Sequence, residues 1–547
     1  MIRSLPSRPS LVQLKRQAKD LLKRLQAGDT EATERLRAHP RLSHASGPIS
    51  YGAKLSLSDA QLVIAREYGF TSWPKLKHHV ESVERVESRV ARLRAAFASA
   101  DQETRDRLLS GVHARERLQH FAPNAETLSE EDARLVVANE EGYAFWNKYE
   151  SYLYLDPTVQ QVIAATRRGE LGTLRALLRA DPGAANPRWV HGHAPTSIPN
   201  DSIPLNCLSE GVFNGTNRHG NDYALAQALI RAGADVEIEN GDPLKTAVSY
   251  DAEGAARALL EGGAAIDGPD RSGMPMAYAL GFGFTEIAEL LARFGAQLDL
   301  RFAAGLGRLD VVKSFVNPDG SLKPDAGRLA DPYENRFRCE RTRANILCQA
   351  LSFACLHARL ETAEFLLELG ADVNQEVPGV NRLGGSVLHH LTAGVSLGGS
   401  GDPHLYDARR LPLIELLLRH GASVTMRDSR FHATPLGWAN HHGATRIFDR
   451  LTPRAGVHDA AQFGLVDRLR ELLASDPALV NARDELGQTP LHCVNADTPD
   501  GLNVIDLLLA QGGDPSARDG AGRTPYDKLR SAGRTDLAER LRPGSAT

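Results

Sequence analysis

Apolar positions along most of the chain recur with a spacing that predicts short, paired helices. Between residues 220 and 300, three longer helical runs each end in an apolar pair, and a glycine follows three or four residues later. Glycine readily adopts the left-handed conformation that ends a helix. Pro243 and Pro275 stand near the start of shorter runs, where a residue without an amide proton is tolerated. The apolar pairs are residues 229–230, 259–260 and 290–291, and the glycines are Gly233, Gly263 and Gly295.

This unit, which recurs about every 31 residues, resembles the ankyrin repeat. Residues 487–492 (GQTPLH) and 522–526 (GRTPY) match the family's box Gly-x-Thr-Pro-Leu-His, in which the threonine caps the helix that the proline begins. Residues 364–374 match the second helix of the repeat and its glycine stop. The resemblance implies an all-α, ankyrin-repeat solenoid of about eleven helix-turn-helix repeats. It also implies that the protein binds another protein.

Two histidines of the repeat motif have a structural interpretation. His389 and His492 occupy the same position of the box, directly after a leucine. An imidazole at this position is expected to bridge neighbouring repeats through hydrogen bonds rather than to take part in catalysis.

The first 155 residues lack the repeat pattern and contain a duplication of their own. Residues 59–65 (DAQLVIA) recur as residues 132–138 (DARLVVA), and Trp73 recurs as Trp146 at the same offset of 73 positions. The pattern predicts a small duplicated helical domain, with a first module at residues 1–80 and a degenerate copy at 81–155, before a solenoid at 156–547. The first copy resembles a helical leader found in bacterial ankyrin-repeat proteins, and this resemblance implies no activity.

Net charge, cysteine content and the lack of long apolar runs limit the kinds of partner and cellular compartment that the sequence predicts. The net charge of −4 argues against nucleic-acid binding, which normally needs a basic face. The five cysteines are scattered without the spacing of a zinc site, and they predict buried thiols in a reducing compartment. No signal peptide is visible, and no run of about 18 apolar residues predicts a membrane span. The expected location is cytoplasmic, and peripheral membrane contact by the basic helix at residues 11–25 is not expected because that helix lacks aromatic residues.

Two repeats carry insertions between their helices, at residues 213–221 and 394–407. The two helices of a repeat are antiparallel, so both insertions are expected at the edge opposite the turns that connect one repeat to the next. Long connections at residues 187–202, 317–343 and 375–385 are expected on the turn edge itself.

One turn and the helix after it combine aromatic and charged residues, which are favoured anchors at the centre of a protein contact. Trp438 is equally consistent with core packing, and the sequence leaves both interpretations open. The candidate partner-binding residues are Arg427, Asp428, Arg430, Phe431, Trp438 and Asn440.

The irregular segments also contain residues that could build a ligand site. Imidazole and carboxylate groups bind zinc, but no pair of them has the spacing that places two ligands on one helix face. The sequence contains no glycine-rich phosphate loop, nucleophile elbow or kinase motif, so no catalytic residue, metal or cofactor is predicted. It favours a non-catalytic scaffold over the alternative, an enzyme or small-ligand-binding protein built on the inserted loops. The residues of this alternative site are His191, His193, His219, Asp222 and His404.

Overall fold

A computed structural model describes the chain from residue 3 to residue 542, with gaps. The residues left out within this range are 4, 7, 39–54, 71, 102–103, 106–126, 142, 144, 190–194, 333–338, 378–383, 394–402 and 496–497, and for residues 403–408 the backbone alone is described. The described residues form helices and turns without a β-sheet. They divide into two compact units, Met1–Ala265 and Ile266–Thr547.

The first unit contains twelve of the described helices. Six form the N-terminal region and the other six form three helix pairs. The helices are α1 (Leu11–Gln26), α2 (Thr30–Arg37), α3 (Leu57–Glu67), α4 (Trp73–Ser99), α5 (Glu130–Glu140), α6 (Trp146–Leu153), α7 (Pro157–Arg167), α8 (Leu171–Ala180), α9 (Pro204–Phe213), α10 (Asp222–Arg231), α11 (Ile238–Ser249) and α12 (Glu253–Glu261).

The second unit consists of eight further helix pairs. Its helices are α13 (Met274–Phe282), α14 (Thr285–Arg293), α15 (Leu300–Gly305), α16 (Leu309–Ser314), α17 (Arg343–Leu356), α18 (Leu360–Glu368), α19 (Val387–Thr392), α20 (Pro403–Arg419), α21 (Pro435–His441), α22 (Thr445–Leu451), α23 (Val457–Gln462), α24 (Val466–Ser475), α25 (Pro490–Cys493), α26 (Gly501–Ala510), α27 (Pro525–Ser531) and α28 (Thr535–Arg540). The all-α architecture of about eleven helix-turn-helix repeats is therefore confirmed.

The predicted glycine stops are confirmed by the backbone. Gly233, Gly263 and Gly295 have φ angles of 93°, 94° and 94°. A Cβ atom at any of these positions would meet no heavy atom within 4 Å. Glycine is thus needed at these helix ends for the left-handed backbone conformation and not for space.

The duplication in the N-terminal region is visible as two helix pairs. Helices α3 and α5 begin 73 positions apart, and so do α4 and α6. One buried cluster runs from Leu5 to Val80 and another from Val86 to Tyr154. Helix α4 contributes to both clusters, so the boundary proposed after residue 80 falls inside a continuous helix. The division of this region into separately folding domains stays a prediction.

The second N-terminal module packs directly on the first repeats of its unit. The guanidinium of Arg167 donates to the Tyr143 hydroxyl (3.2 Å) and to the Glu210 carboxylate (2.9 Å). The Lys148 ammonium lies 3.1 Å from a carboxylate oxygen of Asp201. Polar contacts therefore tie the second module to α7, which opens the first repeat, and to the segment directly before α9, which opens the second.

The predicted histidine bridges are confirmed. In His492, Nδ1 accepts the Thr489 amide proton (3.1 Å), so the ring proton sits on Nε2, which donates to the Arg523 carbonyl of the next repeat (3.0 Å). His389 makes the same kind of bridge, with Nε2 2.9 Å from the Met426 carbonyl. Burial lowers the pKa of both imidazoles, which keeps them in the neutral form that this arrangement requires.

A buried arginine that sequence patterning does not reveal organises the shortest described repeat of the second unit. Arg301 is 0% exposed, and its guanidinium pairs with the carboxylates of Asp299 (2.7 Å) and Asp331. It also donates to the Gln349 side chain (2.8 Å) and to the carbonyl of Leu329. Leu329 and Asp331 lie in the long connection before α17, and Gln349 lies in α17, so one side chain fixes the connection and α17 against the repeat.

We expect Arg301→Met to lower the free energy of unfolding by about 3–5 kcal/mol, because it leaves the buried carboxylate of Asp299 without its cation. Urea denaturation followed by circular dichroism measures the change. The control is Arg308→Met, which removes a half-exposed partner of Glu289 and should lower stability by less than about 1 kcal/mol. Equal effects of the two substitutions would contradict the structural role assigned to Arg301.

Candidate protein-binding surface

A carboxylate fixes the turn that precedes α21. The Asp428 side chain is 1% exposed. Its Oδ1 accepts the amide protons of Arg430 (3.0 Å) and Phe431 (2.6 Å), and its Oδ2 accepts that of Ala433 (3.1 Å). The indole nitrogen of Trp438 donates to the same Oδ2 over 3.0 Å. Hydrogen bonds to a charged acceptor are stronger than neutral ones, so this turn has a rigid base.

This turn is one residue longer than two related turns of the same unit. In the turns that begin at Asp484 and Asp519, the capping threonine follows after five positions, but Thr434 follows Asp428 after six. Phe431 lies within this turn, and 53% of its surface is exposed. The turn therefore presents a large apolar side chain to solvent.

Neighbouring side chains hold the Phe431 ring in place. The Trp438 indole meets it edge-on, with ring centroids 5.4 Å apart and an interplanar angle of 87°. The Arg430 guanidinium carbon lies 5.1 Å from the centroid of the Phe431 ring, a cation–π arrangement. Trp438 itself is 9% exposed and stacks on the His442 ring at 5.6 Å. Phe431 is thus an exposed aromatic residue on a packed aromatic base.

The six candidate partner-binding residues differ in their exposure to solvent. Arg430, Phe431 and Asn440 are exposed. Asp428 and Trp438 are buried, so their contribution to partner binding, which stays a prediction, would be to hold the turn rather than to touch a partner. Arg427 is half-buried, donates to the His432 carbonyl (2.6 Å) and lies 3.5 Å from the Asp484 carboxylate of the next turn. The histidine at 442, which stacks on Trp438, was not among the predicted residues.

The structure does not bring the residues of the alternative ligand site together as a described cluster. His191 and His193 lie outside the described residues, and so does the side chain of His404, whose backbone begins α20. His219 is exposed in the turn between α9 and α10. The Asp222 carboxylate accepts the Ala255 amide proton (2.9 Å) in the first turn of α12, which makes it a structural cap for the next repeat.

Metal ligands and membrane spans were also sought in the described part of the chain. No group of three or more histidine, cysteine, aspartate or glutamate side chains there is arranged to hold a metal ion. Among the described helices, none is both long enough and apolar enough to cross a membrane. Four of the five free cysteines are buried, as predicted, whereas Cys339 is half-buried.

Comparison with known proteins places these features in a class. The family model of the ankyrin repeat matches residues 486–520. An 85-residue stretch, 16% of this chain, is 33% identical to the ARF GTPase-activating protein GIT2 of mouse and 38% identical to the human ARF GTPase-activating protein GIT1. It spans 12% and 11% of the length of these curated relatives.

A solved structure of the human ASB11 ankyrin repeat domain also aligns with the chain. The alignment covers 52% of this chain and 96% of that one, at 19% sequence identity and a TM-score of 0.25. Together, the matched repeat and the eleven helix pairs define the class: the chain is an ankyrin-repeat protein.

We expect Asp428→Asn to loosen the turn, because an amide group cannot accept hydrogen bonds at both ends of the side chain. The loss should lower the free energy of unfolding by about 2 kcal/mol and shift tryptophan emission to longer wavelength as Trp438 becomes hydrated. Urea denaturation monitored by fluorescence tests both effects. Asp449→Asn, at an exposed position on α22, is the control and should change neither quantity. An Asp428 variant indistinguishable from this control would show that the carboxylate does not hold the turn.

Proposed function

We propose that the protein is a non-catalytic protein-binding scaffold that uses its inter-repeat turns and the first helices of its repeats, the concave face of an ankyrin solenoid. The observation that carries the proposal is the exposed Phe431, which the longer turn holds on a rigid base. Aromatic residues, phenylalanine among them, and arginine are enriched at protein interfaces relative to the rest of the protein surface. The contact patch comprises Arg427, Arg430, Phe431 and Asn440 at its surface, with Asp428 and Trp438 beneath.

Preorganisation is the physical reason to prefer this turn. A flexible side chain loses conformational entropy when a partner immobilises it. Phe431 is already fixed between Trp438 and Arg430, so it loses less conformational entropy on binding. A larger part of the free energy gained from its apolar contact therefore contributes to affinity. The repeat architecture supports the same proposal, because stacked repeats offer an extended surface suited to another protein.

The proposal also concerns compartment and partner type. Four buried free thiols suit a reducing compartment, and we propose the cytoplasm. The net charge of −4 supports a protein partner rather than nucleic acid. The alternative of an enzyme or small-ligand protein at His193, His219, Asp222 and His404 gains no support from the described residues, since Asp222 already caps a helix.

The test starts from the full chain as bait and identifies its partner by mass spectrometry. We expect Phe431→Ala to weaken binding of that partner by about 30-fold, or 2 kcal/mol, because it removes a central apolar anchor. Surface plasmon resonance with the purified pair measures the change, and melting temperatures show that each variant stays folded.

Phe294→Ala is the matched control, because Phe294 is also an exposed phenylalanine of the second unit, 43% exposed. It should leave the affinity within a factor of two. Normal binding by Phe431→Ala, together with loss of binding when residues 394–407 are shortened, would place the interface at the insertion and refute the proposed surface.

A further inference from the structure

A groove of about 440 Å³ lies beside the candidate turn in the second unit. Three inter-repeat segments line it: the turn before α21, the start of α23 and the turn before α25. The charged and titratable residues among its lining are Arg427, His458, Asp459, Arg483, Asp484 and Glu485. The hydrogen bonds of these residues show which side chains already have partners within the protein and which have an atom that could bind a ligand.

Three of the lining side chains are engaged within the protein. The His458 imidazole lies with Nε2 3.0 Å from the Ala482 carbonyl. Arg483 donates to the Gly487 carbonyl (2.7 Å) and to a second carbonyl in the next turn. The Asp484 carboxylate accepts two amide protons of its own turn and pairs with Arg427. These groups build the walls of the groove.

Asp459 differs from them. The residue is 3% exposed, and its Oδ2 has no hydrogen-bond partner among the described residues. A buried carboxylate oxygen without a donor is unfavourable, and a donor that reached it would remove that cost. Burial raises the pKa of this carboxyl to about 6, against the opposing effects of the Thr434 hydroxyl and the charge of Arg427. The groove therefore has a buried acceptor that the protein does not satisfy.

We propose that this groove binds an arginine side chain of the protein partner, with the guanidinium donating to Asp459 Oδ2 and facing the carboxylate of Glu485. The proposal rests on the scaffold function and names the chemistry that the partner must carry. Glu485 is 74% exposed at its side chain, so it stands where a cation enters.

The charges of the groove favour a cation. The three carboxylates of Asp459, Asp484 and Glu485 outnumber the two guanidinium groups of Arg427 and Arg483, and both of those guanidiniums are engaged. Arginine suits the site better than lysine, because its planar fork serves two acceptors and it is more weakly hydrated. An anionic ligand would leave Asp459 Oδ2 without a donor.

The site predicts a pH dependence. The ionised carboxylate binds the cation, so binding must displace the proton that Asp459 carries below its pKa. Affinity should be constant above pH 7 and fall by up to about tenfold per pH unit below pH 6. Burial lowers the pKa of His458, which also lines the groove, and so favours its neutral form. The other charged or titratable groups nearby are the guanidiniums of Arg427 and Arg483, the carboxylate of Asp484, and the His432 imidazole, which lies 3.9 Å from the Glu485 carboxylate.

The experiment titrates the full chain with the blocked pentapeptide acetyl-Ala-Ala-Arg-Ala-Ala-amide by isothermal titration calorimetry. The comparison peptide carries citrulline in place of arginine, which keeps the shape and removes the charge. We expect binding of the arginine peptide at pH 7.5, at least tenfold weaker binding of the citrulline peptide, and a marked loss of affinity at pH 5.

Asp459→Asn should weaken binding of the arginine peptide at least tenfold and abolish its pH dependence. Asp467→Asn, at a side chain 95% exposed on α24, is the matched control and should bind normally. The melting temperature of Asp459→Asn should equal or exceed that of the wild type at pH 7.5, because the substitution removes a buried charge whose Oδ2 has no hydrogen-bond partner among the described residues. The citrulline and pH measurements on the wild type are independent of how this variant folds.

Equal affinity for the two peptides, unchanged binding by Asp459→Asn, or no binding at millimolar peptide would each overturn the inference. The experiments test the scaffold function and the arginine site independently of each other. If Phe431→Ala releases the partner while Asp459→Asn does not, the scaffold stands and the arginine site is wrong. If the arginine peptide binds through Asp459 but Phe431→Ala leaves partner binding intact, the arginine site stands and the contact proposed at Phe431 is wrong.

Discussion

The candidate binding surface of the second unit depends on one interaction, the hydrogen bonds between an aspartate carboxylate and the backbone amides of its own turn. Asp428, Asp484 and Asp519 each accept amide protons from residues of their own turn. A tight turn beside a packed helix would otherwise leave these amides unpaired, which is costly for a buried donor. Because the carboxylate ties the turn to the helix pair behind it, a side chain at the tip has a fixed direction.

Each of these three aspartates also accepts a hydrogen bond or ion pair from one side chain, and the type of that side chain differs between the turns. Asp519 pairs with Arg523 of its own turn, and Asp484 pairs with Arg427 of the preceding turn. Asp428 instead accepts from the Trp438 indole. In the longer turn, the indole of Trp438 takes the place of the arginine, so an aromatic ring lies beneath the turn. This hydrogen bond also explains why Trp438 is buried, although its sequence position is compatible with partner contact.

The repeats themselves could be predicted from the sequence because their determinants are local. Helix ends at Gly233 and Gly263, and the box at residues 487–492, depend on neighbours within one turn or one helix. The bridging histidines were also predictable, since a neutral imidazole at a fixed box position meets a backbone carbonyl of the next repeat. These features repeat, and repetition makes a pattern visible.

The interactions that do not repeat could not be predicted in this way. Arg301 is buried because partners from 28 to 48 positions away surround it, and nothing in its flanking sequence indicates this. The role of Asp222 was equally hidden in the sequence. Its place in an irregular segment suggested a ligand site, but its carboxylate caps a helix of the next repeat. In both cases the decisive contact comes from a neighbouring element, so the sequence shows the residue and not its environment.

Arg301 shows how the chain itself pairs buried carboxylates, and it is the precedent for the arginine site proposed at Asp459. Asp299 and Asp331 are as deeply buried as Asp459, and the chain supplies Arg301 to pair with both. Asp459 has Arg427 nearby, but that guanidinium donates to His432 and pairs with Asp484. At Asp459, an arginine of a partner would repeat the pairing that Arg301 makes with Asp299 and Asp331 inside the fold.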